Sequence, residues 1–115
     1  MKEFMLIFRN TGAEGTKYSP EQMQESEKQW NDWMGGIAAA GRFVKCSRPD
    51  AEGKTVNGKH MVTDGPYAEI KEILMGVLTV KAESIDDAVE IAKGCPILLA
   101  DGTVEVRPVM FMKMY

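Results

Sequence analysis

Histidine and cysteine are scarce in this chain: one His and two Cys among 115 residues. His60, Cys46 and Cys95 fit no zinc spacing, so neither a metal nor a cofactor is expected. The cysteines stand far apart in sequence. Parity leaves a disulfide open, and a reduced pair acting as small core residues is the preferred reading. An excess of one charge is also missing. Fourteen basic and 17 acidic residues leave a net charge of −3, and no basic block offers a footprint for nucleic-acid phosphates. Long apolar runs are absent. Phe4 to Phe8 is too short for a signal-peptide core or a membrane span, which predicts a soluble cytoplasmic protein. Gly12 and Gly15 are too sparse for a phosphate cradle, and no Ser-His-Asp order or metal-ligand cluster is convincing.

What is present suits one domain over residues 1–115. The hydrophobic fraction is 44%, and a chain of this size buries roughly two-thirds of its unfolded surface. Nine methionines read either as adaptable core filler or as a soft ligand-accommodating surface.

Lys2 to Arg9 reads as a strand. Ser19-Pro20-Glu21-Gln22 opens a helix with a capping box and a proline at its first position. Met23, Trp30, Met34, Ile37 and Gly41 fall on one stripe at helical spacing, and Gly41 stops the helix. Gly35-Gly36 weakens it, which close packing or a local break would explain. Arg42 to Ser47 reads as a second strand. Thr55-Val56 and His60-Met61-Val62 then flank Asn57-Gly58, a two-residue turn signal. Leu74 to Ala82 is a third main strand. Ser84 caps a second helix with Asp86 and Asp87 in its first turn; its buried stripe is Ile85, Ala88, Val89 and Ala92, and Gly94 and Pro96 end it. Thr103 to Arg107 is the last strand, with Pro108 marking a bulge or an edge.

The order β-α-β-(hairpin)-β-α-β predicts an α+β fold of the ferredoxin-like kind, with both helices on one face of an antiparallel sheet. Helices cover only one face. Phe4 to Phe8 and Leu74 to Val80 are apolar toward both, so a second copy is the simplest cover, and a homodimer is expected.

The most informative segment is Asp64-Gly65-Pro66-Tyr67-Ala68-Glu69-Ile70-Lys71-Glu72. Asp-Gly-Pro signals a chain reversal. A turn does not need Glu69, Lys71 and Glu72 beside the Tyr67 ring. With Phe4-Met5-Leu6-Ile7, Trp33-Met34, Ala38-Ala39-Ala40-Gly41, Ala88 to Pro96 and Gly102 to Pro108, it carries a resemblance over nearly the whole chain. The chain resembles the YCII-related domain family, in the subgroup named for Asp-Gly-Pro-Phe, with Tyr67 in place of Phe. That resemblance implies a dimeric α+β barrel, an enzyme-like catalytic or binding site, and a sigma-factor association seen for some members. Other members carry a His near the start of the first helix, paired with an Asp. Here Ser19-Pro20-Glu21-Gln22-Met23 holds none, so that dyad does not transfer.

Each candidate has two readings. Asp64 is a general base or ligand anchor, or a turn-former. Glu69, Lys71 and Glu72 surround a small substrate, or form a solvated salt-bridge loop. His60, of the one residue type suited to acid-base work near neutral pH, precedes the turn and faces the same space as Asp64, or is an exposed or structural strand residue. Trp33 walls a pocket while Trp30 is core. Arg9 and Arg42 bind an anion or are solvated. The leading expectation is a small-molecule-binding protein or metal-independent enzyme. Its site lies between the Asp64 to Glu72 loop and the dimer cleft, with Tyr67, Trp33 and Arg9 holding the ligand. The rival is a regulatory interaction module linked to sigma-factor-dependent transcription. A metal-free barrel monooxygenase is a third reading, on fold analogy alone.

Overall fold

The computed structural model describes residues 1–10, 19–50, 52–64 and 73–112, with residues 63, 64 and 73 described by their backbone. The chain runs β1 (Lys2–Asn10), α1 (Pro20–Ala39), β2 (Phe43–Ser47), β3 (Lys54–Val56), β4 (Val62–Asp64), β5 (Ile73–Ala82), α2 (Ile85–Ala92), a short 3-10 turn (Pro96–Ala100) and β6 (Thr103–Pro108). Four strands form one sheet in the order β2-β5-β1-β6, and every neighbouring pair is antiparallel. β3 and β4 pair as a separate hairpin. The architecture is α+β.

α1 starts where its sequence says it should. The Ser19 hydroxyl accepts from Gln22 N, and the Gln22 side chain accepts from Ser19 N, which satisfies two otherwise orphaned amides. It stops at Gly41, whose φ of 73° is the left-handed conformation a helix end uses. Gly35 and Gly36 lie in unbroken helix, and a Cβ on either would meet nothing within 4 Å. Neither close packing nor a break explains them. Met23, on the expected stripe, is 58% exposed, and residues 20–28 of α1 are exposed throughout. The helix is amphipathic only where it lies over the sheet.

Strand alternation divides β1 between two faces. Phe4, Leu6 and Phe8 are buried and join Ile37 of α1 and Ala88 and Ala92 of α2 in one core with Leu78 and Val80 of β5. Phe8 meets Trp30 and Trp33 edge-on, with centroids 5.3 and 5.9 Å away, a geometry that aromatic quadrupoles favour. Met5 and Ile7 point the other way and are half-buried. Both helices therefore pack on one face, and the other carries Met5 and Ile7 of β1 with their register partners Thr79 and Val77 of β5.

Three further details differ from the sequence reading. Cys95 is buried, but Cys46 on β2 is exposed, and both are free thiols. Ile85, assigned to the buried stripe of α2, is 45% exposed. The β3–β4 turn spans Asn57 to Met61, not two residues: Asn57 Oδ1 accepts from Lys59 N and Met61 N, and His60 N bonds Asn57 O. The left-handed position falls on His60, with φ of 63°. A non-glycine residue there carries a penalty of about 1 kcal/mol. His60→Gly is therefore expected to raise stability by up to about 1 kcal/mol, read by urea denaturation; a loss of stability would mean that the imidazole makes a contact worth more than the backbone strain.

Candidate functional site

One end of the sheet gathers the features a site needs. β1 finishes there at Arg9 and Asn10, and Asn10 pairs with Ile73, the residue at which the chain re-enters the sheet after residues 65–72. Arg9 shares the helix-free face with Ile7. On β6, Glu105 pairs with Ile7 and Arg107 with Met5, so both charges lie on that face too. Arg9 Nη2 stands 3.6 Å from Glu105 Oε1, and Arg107 Nε donates to Glu105 Oε2. The Arg107 bond, reinforced by the positive charge of both guanidiniums, holds the Glu105 carboxyl below the usual range. Two cations against one ionised carboxylate leave one net positive charge beside the apolar Ile7, Met5 and Val77.

The backbone under this cluster is tightly packed. A Cβ on Gly102 would lie 2.4 Å from Ile97 Cγ1 and 2.9 Å from Arg9 O, so only glycine lets the 3-10 turn press against the end of β1. Asn10 Oδ1 is buried and finds no donor among the described residues. A buried acceptor left unmet costs about 1–3 kcal/mol.

The predicted site residues are distributed as follows. Arg9 sits in the cluster. Tyr67, Glu69, Lys71 and Glu72 lie outside the described residues. The Asp64 backbone closes β4 opposite Lys54, at the base of the hairpin. His60 is exposed in the turn at its tip, with β4 running between it and the Asp64 backbone. Trp33 belongs to the other layer: its Nε1 donates to Ile91 O at 3.1 Å and ties α1 to α2. Arg9 and Trp33 are thus on opposite sides of the sheet. Glu105 and Arg107 escaped the sequence reading, although the alternation Val104-Glu105-Val106-Arg107 places both charges on one face of a strand.

Trp33 also borders an open groove of about 580 Å³ between the helices, with Arg42, Asp87 and Glu90 along it. Arg42, the other anion candidate, is occupied there. Its Nη1 lies 2.7 Å from Asp87 Oδ2, which also accepts from Glu83 N at 2.9 Å. These bonds, the backbone one foremost, hold the Asp87 carboxyl below its ordinary range. The sign follows from linkage: a depressed folded pKa stabilises above the unfolded value of about 3.9, and that contribution fades as pH falls through the folded pKa. Asp87→Asn should therefore flatten the acid limb of the stability curve below about pH 4, measured as melting temperature against pH; an unchanged limb would contradict the assignment. Among the described residues, no cluster of His, Cys, Asp and Glu could hold a metal ion, and no helix is long and apolar enough to cross a membrane.

The sequence pattern of the YCII-related domain matches residues 3–113. The chain belongs to the YCII-related domain family. No curated protein matches it. In this YCII-related protein the family match takes in both halves of the charge cluster, Arg9 near its start and Glu105 and Arg107 near its end, together with the segment that joins the sheet beside them.

Proposed function

We propose that this YCII-related protein, of the Asp-Gly-Pro-Phe subgroup, binds a small organic anion, either as a binding protein or as a metal-independent enzyme. Its site lies between the segment from Asp64 to Glu72 and a cleft formed where the helix-free faces of two copies meet. The observation that carries this reading is the Arg9–Glu105–Arg107 cluster on an apolar, helix-free face, at the end where that segment rejoins the sheet. The strand order β2-β5-β1-β6 with antiparallel neighbours supports a ferredoxin-like arrangement, and half-buried Met5, Ile7 and Val77 support a face-to-face α+β barrel. Covering the face would exclude water from the two guanidiniums and strengthen their hold on a carboxylate or phosphate. Asp64, Glu69, Lys71 and Glu72 would bring acid and base groups from the adjoining segment, with Tyr67 as a ring wall.

A thermal-shift screen tests the reading, because a ligand that binds only the folded state raises the melting temperature. Small carboxylates and phosphates should raise it, and matched neutral or cationic compounds should not. Arg9→Met and Arg107→Met should each abolish the shift while leaving the protein folded by circular dichroism. Shifts that persist in both variants would place the site elsewhere.

A further inference from the structure

We propose that β6 pairs edge to edge with β6 of a second copy, antiparallel and about a two-fold axis at Val106, joining two sheets into one. This contact is separate from the face-to-face contact above and does not depend on it.

The sheet has two edges, and they are built differently. β2 is five residues long, its register with β5 shifts between Phe43 and Lys45, and it carries Lys45. A bulge and a lysine are the usual means of blunting an edge against pairing. β6 runs in unbroken register with β1 from Thr103 to Pro108 and is flanked by no other described strand.

The hydrogen-bond phase of β6 is set by its end. Val109 N donates to Glu3 O at 3.0 Å, so the odd-numbered residues of this strand turn their backbone groups toward β1. Val104, Val106 and Pro108 therefore turn theirs outward. The N–H that proline lacks falls on the outward side, where its absence breaks no bond to β1. The open edge offers the amides of Val104 and Val106 and the carbonyls of Val104, Val106 and Pro108.

Charge selects the register. With the axis at Val106, the two Val106 residues exchange both of their bonds, and each Val104 amide meets the Pro108 carbonyl of the other copy. Every outward amide then has an acceptor, and Glu105 stands opposite Arg107 of the second copy. An axis at Glu105 would set carboxylate against carboxylate, and one at Arg107 would set guanidinium against guanidinium; like charges directly opposite are unfavourable. Apolar surface supports the same pairing. On the helix side of the edge, Ile85, Val89, Leu98, Val104 and Val106 line a groove of about 330 Å³. Ile85 and Leu98 remain 45% and 43% exposed. Because the axis is perpendicular to the sheet, the two grooves meet across it, which covers side chains the protomer leaves open.

Val106→Pro tests the proposal. It removes an outward amide and leaves the β1 ladder intact, so circular dichroism should match the wild type. Light scattering over a concentration series should give half the wild-type mass. Glu105→Arg should also halve it, and Glu105→Arg with Arg107→Glu should restore it; this pair decides the matter if Val106→Pro fails to fold. A wild-type mass of one chain, a folded Val106→Pro variant of unchanged mass, or a charge swap that fails to restore the assembly would each overturn the proposal. Ile7→Lys separates the two contacts. If only the face-to-face contact exists, the mass responds to Ile7→Lys alone. If only the edge contact exists, it responds to Val106→Pro alone.

Discussion

Gly102→Ala is expected to lower the melting temperature by about 4–12 °C. The added methyl would lie 2.4 Å from Ile97 Cγ1 and 2.9 Å from the Arg9 and Ile97 carbonyl oxygens. Two of those three atoms are backbone, so no rotamer change relieves the contact and the sheet end itself must move. Overpacking of this kind costs about 1–3 kcal/mol. For a domain of this size, each kcal/mol corresponds to about 4 °C. The same substitution at Gly36 provides the contrast. No atom lies within 4 Å of its Cβ position, and the residue is helical, so alanine should add about 1 kcal/mol. Differential scanning calorimetry of both variants checks the pair. If Gly102→Ala melts with the wild type, the 3-10 turn does not press on β1 as described, and the support under Arg9 is lost with it.

Ile7→Lys is expected to weaken the proposed face-to-face assembly by at least two orders of magnitude in dissociation constant and to leave the protomer folded. Ile7 is half-buried at the centre of the helix-free face and pairs with Glu105 across the β1–β6 ladder. An ammonium there gains a carboxylate opposite within its own chain, so the fold tolerates it. In the assembly, the ammonium of each copy would join Arg9 and Arg107 around a single carboxylate within an apolar interface, and charge left uncompensated there costs about 3–5 kcal/mol. Sedimentation analysis at several concentrations reads the loss. An assembly unchanged by this substitution would mean that the helix-free face is not an interface.

The elements were legible where a local rule fixes them. Ser19 and Gln22 announce a capped helix start, and Gly41 its end, because capping is decided within one turn. The alternation in β1 was hidden, since Phe4 to Phe8 is apolar throughout and only tertiary contacts show that Phe4, Leu6 and Phe8 take the helices. Met23 misled because periodicity marks the side a helix turns inward, not how far the sheet beneath it extends. The Asn57-Gly58 signal lies within the correct turn, but the Asn57 side chain captures two later amides and passes the left-handed conformation to His60. The charge cluster was illegible for a different reason. Arg9 was a candidate alone, but its partners stand near the other end of the chain, and only the pairing of β1 with β6 brings Glu105 and Arg107 beside it. The candidates from Tyr67 to Glu72 fall outside the described residues. What the fold contributes to them is the place where their segment rejoins the sheet, opposite Asn10.

The central claim is that the helix-free face is covered by a second copy and frames the site. Isotope-filtered NMR on a mixture of labelled and unlabelled protein tests it most directly. The account predicts nuclear Overhauser contacts between chains from the methyl groups of Met5, Ile7 and Val77. If those methyl groups contact only their own chain, and a soluble paramagnetic agent relaxes them as fully as the exposed methyl of Met23, the account is contradicted.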